Sequence, residues 1–151
     1  MAKHPIRKFQ RLTTGDDAFR AKFRSWDMTE LSYVDILEYL KEKDTVLVPM
    51  ASTEQHGPHL PLYTDTITAI EVAQRVSEAI GVFHTPPIWT GYSPQHMHLP
   101  GEGRGTITIK ASTLNALMYD VARSLIHHGF NRIIFVNGHG SNVKVIDPVI
   151  V

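Results

Sequence analysis

Short apolar stretches alternate with longer helical patterns along this chain, and that alternation constrains its fold more than any other feature. Runs rich in β-branched residues, bounded by turn-forming residues, predict strands over Thr45–Met50, 82–87, 106–110 and 132–136. Apolar residues at helical spacing predict helices over residues 29–42, 66–80 and 113–128. Strands separated by helices need crossover connections, so the sequence predicts an α/β fold whose sheet is mainly parallel.

The loop directly after the first strand concentrates carboxylate and imidazole side chains. Glu54 and His56 are two residues apart, so in extended backbone they point to the same side and could reach one cation. Asp65 follows nine residues after His56, and Pro58 and Pro61 limit the turns of the intervening loop. A return of Asp65 toward Glu54 is therefore plausible, although Asp65 could instead simply cap the helix that follows.

A second polar segment, residues 137–142, follows the strand predicted over 132–136. Its centre is His139, which Gly138 and Gly140 bracket as in a tight turn. Alone, a Gly-His-Gly turn is more often structural than functional. On a strand next to the first loop, it would complete a set of Glu, His, Asp and His, which suits Zn²⁺, Mn²⁺ or Fe²⁺.

The same segments resemble the creatininase (creatinine amidohydrolase) family. The matching segments run from Ala-Ser-Thr-Glu-Gln-His-Gly-Pro-His-Leu-Pro-Leu at 51–62, with Asp65, through Ser-Pro-Gln-His at 93–96 and Leu-Pro-Gly at 99–101, to Val-Asn-Gly-His-Gly at 136–140. The resemblance implies a three-layer α/β sandwich and a metal-dependent hydrolase of amide or amidine-like C–N bonds with two divalent ions. It makes Glu54, His56, Asp65 and His139 metal ligands, with Asp65 as the bridge between the ions.

Further residues of the same segments are candidates for contacts with a substrate or with the ligands. His96 lies in an aromatic and imidazole-rich stretch, 89–105, which we interpret as a substrate loop, a structural loop being the alternative. We expect His96 to orient the substrate or to stabilise a tetrahedral intermediate. His59 is expected to orient a metal ligand, and Ser93 and Gly140 to support the ligands or contact the substrate.

Two departures from the family pattern bear on function. Ser141 stands where creatininase has a metal-binding Glu, which argues against creatinine as the substrate more than against the metal site. Family members also continue with further active-site segments, whereas this chain ends in the apolar stretch 147–151. We therefore expect activity to need a C-terminal half, in the same polypeptide or as a second chain, within a homo-oligomer.

Composition agrees with part of an enzyme from the cytoplasm. The 151 residues include 15 basic and 15 acidic side chains, so a nucleic-acid or membrane partner is not expected. The lack of cysteine excludes disulfides and thiolate-bound zinc. We interpret residues 1–28 as an N-terminal extension packed on the surface or on a neighbouring subunit, a nucleic-acid arm being the less favoured alternative. Residues 29–151 would form the N-terminal portion of a single domain.

The function predicted from these observations is hydrolysis of a non-peptide amide, cyclic or formyl, in a small-molecule substrate. Two alternatives stay open: a non-catalytic metal-binding or scaffold subunit of the same fold, and a peptidase-type relative that acts on a peptide precursor. A nucleotide-phosphate site has little support, because no glycine-rich phosphate loop follows any predicted strand.

Overall fold

The centre of the structure is a parallel three-stranded sheet. The structure, a computed structural model, describes residues 17–97 and 104–149. Its strands are β1 (Thr45–Met50), β2 (Phe83–His84) and β3 (Arg132–Asn137), in the order β2-β1-β3. The central strand β1 pairs with β3 along its whole length, from Thr45 opposite Arg132 to Met50 opposite Asn137. The predicted α/β fold with a parallel sheet is confirmed.

Helices occupy the connections between the strands. The α-helices of the described residues are α1 (Asp17–Arg20), α2 (Tyr33–Tyr39), α3 (Thr64–Ile80), α4 (Ala111–His127) and α5 (Val143–Ile146). Shorter 3₁₀ helices are Met28–Glu30, Pro94–Met97, Gly140–Asn142 and Asp147–Val149. None of the helices within 17–97 and 104–149 has the length and apolarity needed to cross a membrane.

The side chains of β1 alternate between the two faces of the sheet, and helices cover both faces. Val46 and Val48 pack on one side in a cluster that includes Leu125 of α4. Leu47 points to the other side and packs against Ala73 of α3. This arrangement is a three-layer α/β sandwich, and α3 meets the sheet closely because small residues form its buried face.

The N-terminal segment contributes to the core of the domain. Phe19 and Phe23 are buried beside Tyr39 and Phe83, with the Phe23 and Phe83 ring centroids 5.1 Å apart. The expected surface packing of residues 1–28 is therefore wrong for their described part. Four aromatic rings bury a large apolar area, which holds this segment against the sheet. The domain division at residue 28 itself stays a prediction.

The helix predicted over residues 29–42 is interrupted. Leu31 and Ser32 have extended backbone, and α2 begins only after them. The Asp35 carboxylate accepts hydrogen bonds from the backbone N–H and the hydroxyl of Ser32, both at 2.7 Å, and these bonds hold Ser32 at the helix start. Apolar spacing alone could not reveal this break, because Leu31 packs on the core although it lies outside the helix.

The buried side of α2 also differs from the helical spacing. Val34 and Leu37 would lie on the core side of one long helix, but they are 56% and 58% exposed. Tyr39 is fully buried instead, and its hydroxyl donates a hydrogen bond of 2.6 Å to the Thr45 carbonyl. Burial raises the pKa of the Tyr39 hydroxyl, and the bond satisfies its polar end inside the core.

Two predicted strands are corrected by the structure. The strand predicted over 82–87 is reduced to the two residues of β2. The strand predicted over 106–110 is absent from the sheet, and this segment makes isolated bridges between Ile107 and Thr53 and between Thr108 and Gly91. Through these bridges it connects the loop after β1 to the loop after β2. Its alternating residues therefore support the loops of the site and do not extend the sheet.

Candidate metal centre

The predicted metal ligands meet at the C-terminal edge of the sheet. Glu54 and His56 follow β1, and His139 follows β3. Because β1 and β3 are parallel neighbours, paired up to Met50 and Asn137, their C-terminal ends open onto the same edge. Ligand sites of open parallel sheets form in this position.

The loop after β1 turns back on itself and returns Asp65 to Glu54. The Glu54 N–H donates to the Leu62 carbonyl at 3.0 Å, which closes the loop. Gly57 supports the turn with a φ of 73°, a conformation that side chains with a Cβ rarely adopt. Asp65 then lies in the first turn of α3, where the helix dipole stabilises a carboxylate.

Gly138 allows α3 to approach the end of β3. A Cβ at this position would lie 2.3 Å from the Asp65 backbone oxygen and 3.2 Å from the Ala69 Cβ. The absence of a side chain at position 138 therefore brings the first turn of α3, and Asp65 with it, beside His139.

All four predicted ligands lie in one cluster. The two carboxylate oxygens of Asp65 contact different rings: Oδ1 lies 3.0 Å from His56 Nε2, and Oδ2 lies 2.8 Å from His139 Nδ1. Glu54 Oε1 lies 3.5 Å from the same His139 nitrogen. Candidate ligand atoms of Glu54, His56 and Asp65 all fall within 4.8 Å of one another. Ligand bonds of about 2.1 Å place neighbouring ligand atoms roughly 3.0 to 3.4 Å apart, so these spacings suit a shared ion.

Backbone carbonyls fix which nitrogen of each ring carries a proton. His56 Nδ1 lies 3.0 Å from the Glu54 carbonyl, and His139 Nε2 lies 3.1 Å from the Tyr92 carbonyl. A carbonyl oxygen only accepts, so each of these nitrogens carries the hydrogen. The other nitrogen of each neutral ring then presents a lone pair to an oxygen of Asp65. Two lone pairs facing a carboxylate repel it unless a cation or a proton lies between them.

The buried carboxylates also lack a lysine or arginine partner. Glu54 and Asp65 are only 8% and 9% exposed. Within residues 17–97 and 104–149, their ion-pair partners are the rings of His56, His96 and His139. Glu54 Oε2 has no hydrogen-bond partner there. Burying two carboxylates in this way is costly unless they bind a cation, so the donor set fits a divalent metal ion.

Ser93, His139 and Asp65 also form a Ser-His-Asp chain, but their arrangement is unsuited to nucleophilic catalysis. Ser93 Oγ lies 3.0 Å from His139 Nε2, and Asp65 lies on the Nδ1 side of the ring. Ser93 is fully buried, however, and its hydroxyl also contacts Ser52 Oγ at 2.7 Å. In addition, Nε2 carries its hydrogen toward the Tyr92 carbonyl and cannot accept the serine proton. Ser93 therefore supports the His139 ring on its Nε2 side, opposite the Nδ1 side that contacts Asp65.

His96 lies at the edge of the cluster. Its Nε2 atom is 3.5 Å from Glu54 Oε2, and its Nδ1 atom is 2.9 Å from the side-chain nitrogen of Gln55. The ring is half-buried, within the 3₁₀ helix Pro94–Met97. Residues 98–103 of the predicted substrate loop lie outside the described residues.

The structure does not bring every predicted residue into the cluster. His59 is exposed, and no hydrogen bond or ion pair joins it to another residue of 17–97 or 104–149, so the expected contact with a ligand is not found. Gly140 is next to His139, and a Cβ there would meet nothing within 4 Å. Ser141 accepts a 3.1 Å hydrogen bond from Gln95.

Asn142 is a residue of the site region that sequence reasoning did not assign. Its fully buried amide accepts from the Tyr92 N–H at 2.9 Å and donates to the Ala51 carbonyl at 3.1 Å and to Asn137 Oδ1 at 3.3 Å. It therefore joins the three loops that carry the site. The sequence signal that could have identified Asn142 is its place in the polar segment after β3. The structure adds that Gly91 makes room for this side chain, because a Cβ at position 91 would lie 2.5 Å from the Asn142 amide oxygen.

Comparison with known proteins agrees with this geometry. The creatininase family model, described as creatinine amidohydrolase, matches residues 29–151. The mycofactocin precursor peptide peptidase of Mycolicibacterium smegmatis is 44% identical over 107 residues, which cover 67% of this chain and 41% of the peptidase. A solved manganese form of creatininase superposes with a TM-score of 0.77 at 30% identity, over 84% of this chain and 50% of that one. A mutant creatininase of the Zn-Zn type gives a TM-score of 0.76 at 29% identity, over 85% and 50%.

The chain thus spans half or less of the length of these relatives. The family model nevertheless covers most of the chain, including every residue of the site cluster. We conclude that this chain belongs to the creatininase family.

Proposed function

We propose that this chain carries the metal centre of a hydrolase that cleaves an amide C–N bond with a metal-activated water. The observation that carries the proposal is the pair of rings, His56 and His139. Each donates one N–H to a backbone carbonyl and turns its other nitrogen to Asp65. Histidines that bind metal ions almost always donate their second N–H in this way.

Glu54, His56, Asp65 and His139 would hold the metal. The two oxygens of Asp65 contact different rings, which supports a bridging role between two divalent ions. Zn²⁺, Mn²⁺ and Fe²⁺ accept this mixture of nitrogen and oxygen ligands. Such an ion, when bound, lowers the pKa of a water and polarises the carbonyl of the substrate.

Other side chains of the site have separate tasks. Ser93 and the Tyr92 carbonyl hold the His139 ring in position. His96, at the edge of the cluster, would orient the substrate or stabilise the oxygen that gains negative charge. The open space beside Gly140 leaves room for a substrate next to His139.

The chemical class of the amide is the finer part of the proposal. A small cyclic or formyl amide is one candidate, because the solved relatives are creatininases. A peptide precursor is the second candidate, favoured by the higher identity of 44% to a peptide peptidase. A homo-oligomeric state and a cytoplasmic location stay predictions.

Metal analysis combined with amide hydrolysis tests this function. The full-length protein is stripped with a chelator and reloaded with Zn²⁺, Mn²⁺ or Fe²⁺. Metal content is then measured by elemental analysis, and amine release is followed from a formamide, a lactam and a peptide. We expect tight metal binding and metal-dependent release from one substrate class. Failure to bind metal would refute the centre, whereas metal binding without hydrolysis of any amide would favour the scaffold alternative.

A further inference from the structure

We infer that Gln55 is a positioning residue that keeps the ring hydrogen of His96 on Nε2, the nitrogen that lies 3.5 Å from Glu54 Oε2. The importance of this arrangement for catalysis rests on the proposed function, in which Glu54 is a metal ligand. The arrangement itself rests on hydrogen bonds among Gln55, Gly57 and His96 and can be tested without metal or turnover.

The orientation of the Gln55 side chain follows from a backbone donor. The Gly57 N–H lies 2.9 Å from the atom at the Oε1 position of Gln55. A backbone N–H only donates, so the atom that it contacts is the amide oxygen and the other is the NH₂ group. The Gln55 backbone is itself anchored, since its N–H donates to the Thr106 hydroxyl at 3.1 Å.

This orientation determines the tautomer of His96. The Gln55 NH₂ group lies 2.9 Å from His96 Nδ1 and donates to it, so Nδ1 presents a lone pair. The hydrogen of the neutral ring is then on Nε2, the atom 3.5 Å from Glu54 Oε2. That oxygen is buried and has no hydrogen-bond partner among the described residues. The nitrogen that carries the hydrogen is therefore the one on the Glu54 side of the ring.

A ring held in this form has a restricted chemical role. Its Nε2–H can donate to a carbonyl oxygen or to the oxygen of a tetrahedral intermediate, which gains negative charge during the reaction. It cannot accept a proton at Nε2, so His96 is unsuited to remove a proton from the attacking water. We assign His96 to stabilise the oxygen that gains charge, with Gln55 as the residue that keeps it in this form.

Nitrogen-15 NMR of the histidine rings in the full-length, metal-free protein tests the assignment. The protonated and the unprotonated ring nitrogens have well-separated shifts, and the His96 signals are identified by their loss in His96→Gln. The wild type should show His96 with its proton on Nε2. Gln55→Glu replaces the NH₂ donor with an oxygen acceptor, so Nδ1 should become protonated and its nitrogen shift should move to that of a protonated ring nitrogen.

Gln95→Glu is the matched control. It makes the same chemical change in the segment that carries His96, but Gln95 is exposed and donates to Ser141. The His96 tautomer should therefore be unchanged in this variant. If Gln55→Glu does not fold, Gln55→Met removes the same donor. Without that donor, His96 should populate both neutral tautomers instead of the Nε2–H form alone.

Three results would overturn the assignment: a proton on Nδ1 in the wild type, an unchanged His96 spectrum in the folded Gln55 variant, or an equal change in Gln95→Glu. A protein that binds no metal but shows the predicted tautomers would refute the proposed function and leave the role of Gln55 intact.

Discussion

Replacing Gly138 with alanine tests how closely β3 and α3 approach each other at the site. The added Cβ would lie 2.3 Å from the Asp65 backbone oxygen, well under the 3.0 Å that real Cβ contacts respect. The first turn of α3 would have to move by about 1 Å to restore normal contact distances. Overpacking of this kind typically costs about 1 to 3 kcal/mol. At roughly 2 to 4 °C per kcal/mol for a chain of this size, we expect Tm to fall by about 2 to 12 °C.

Gly140→Ala provides the matched control in the same turn. Nothing lies within 4 Å of a Cβ at position 140, and its φ is not positive. Its unfolding free energy should therefore change by less than about 1 kcal/mol. Thermal unfolding followed by circular dichroism compares the wild type with both variants. The reasoning is refuted if Gly138→Ala melts at the wild-type temperature, or if both variants lose the same stability.

Three further predictions follow from other contacts. Asp65→Ala removes both carboxylate oxygens from the rings that they contact. At about 1.5 to 3 kcal/mol for each of these two charged interactions, metal affinity should fall on the order of 10² to 10⁴-fold. His59 is exposed, so the control variant His59→Ala should keep its metal. Equal metal contents by elemental analysis would contradict the bridging role. Asn142→Ala removes the partner of the Tyr92 N–H and of the buried Ala51 carbonyl, so denaturant unfolding should show a loss of about 2 to 6 kcal/mol. A loss under about 1 kcal/mol would contradict the role of Asn142 in joining the loops of the site. Hydrogen bonds from Ser32, mainly from its backbone N–H and secondly from its hydroxyl, lower the pKa of Asp35 below its usual 3.8. The ionised carboxylate therefore stabilises the fold above pH 3.8, and this contribution is lost as pH falls through the lowered pKa. The Tm difference between wild type and Asp35→Asn should be present at pH 7 and shrink below pH 3.8; a difference that stays constant down to pH 3 would rule this linkage out.

The strands that could be predicted most closely were those with buried, β-branched runs. Thr45–Met50 was predicted with the bounds of β1, and 132–136 differs from β3 by one residue. Both strands pair in parallel and carry a nearly continuous apolar sequence, which is readable without knowledge of the partner strand. Residues 106–110 have the same local character, yet the structure uses them to bridge two loops. Local preference does not specify which backbone a strand-like segment pairs with.

Helix limits and helix faces depended more strongly on tertiary contacts. The gap before α2 arises from one carboxylate, Asp35, which bonds Ser32, and apolar periodicity does not include that bond. Tyr39 is buried in place of Leu37 because Phe19 and Phe23 from the N-terminal segment surround it. An interaction between residues that are far apart in the chain cannot be inferred from a window of one helix.

The sequence by itself determined the residue types of the site and their place after two strands, because the chemistry of metal ligation selects carboxylates and imidazoles. Only the tertiary structure decided that Asp65 contacts both rings, since this depends on the closed loop after Glu54 and on the close approach at Gly138. It also decided the proton positions on the rings, because these follow from which carbonyl or amide each nitrogen faces. Such contacts join residues that are up to 74 positions apart. The long-range contacts arise when helices and strands pack, and no local sequence pattern encodes them.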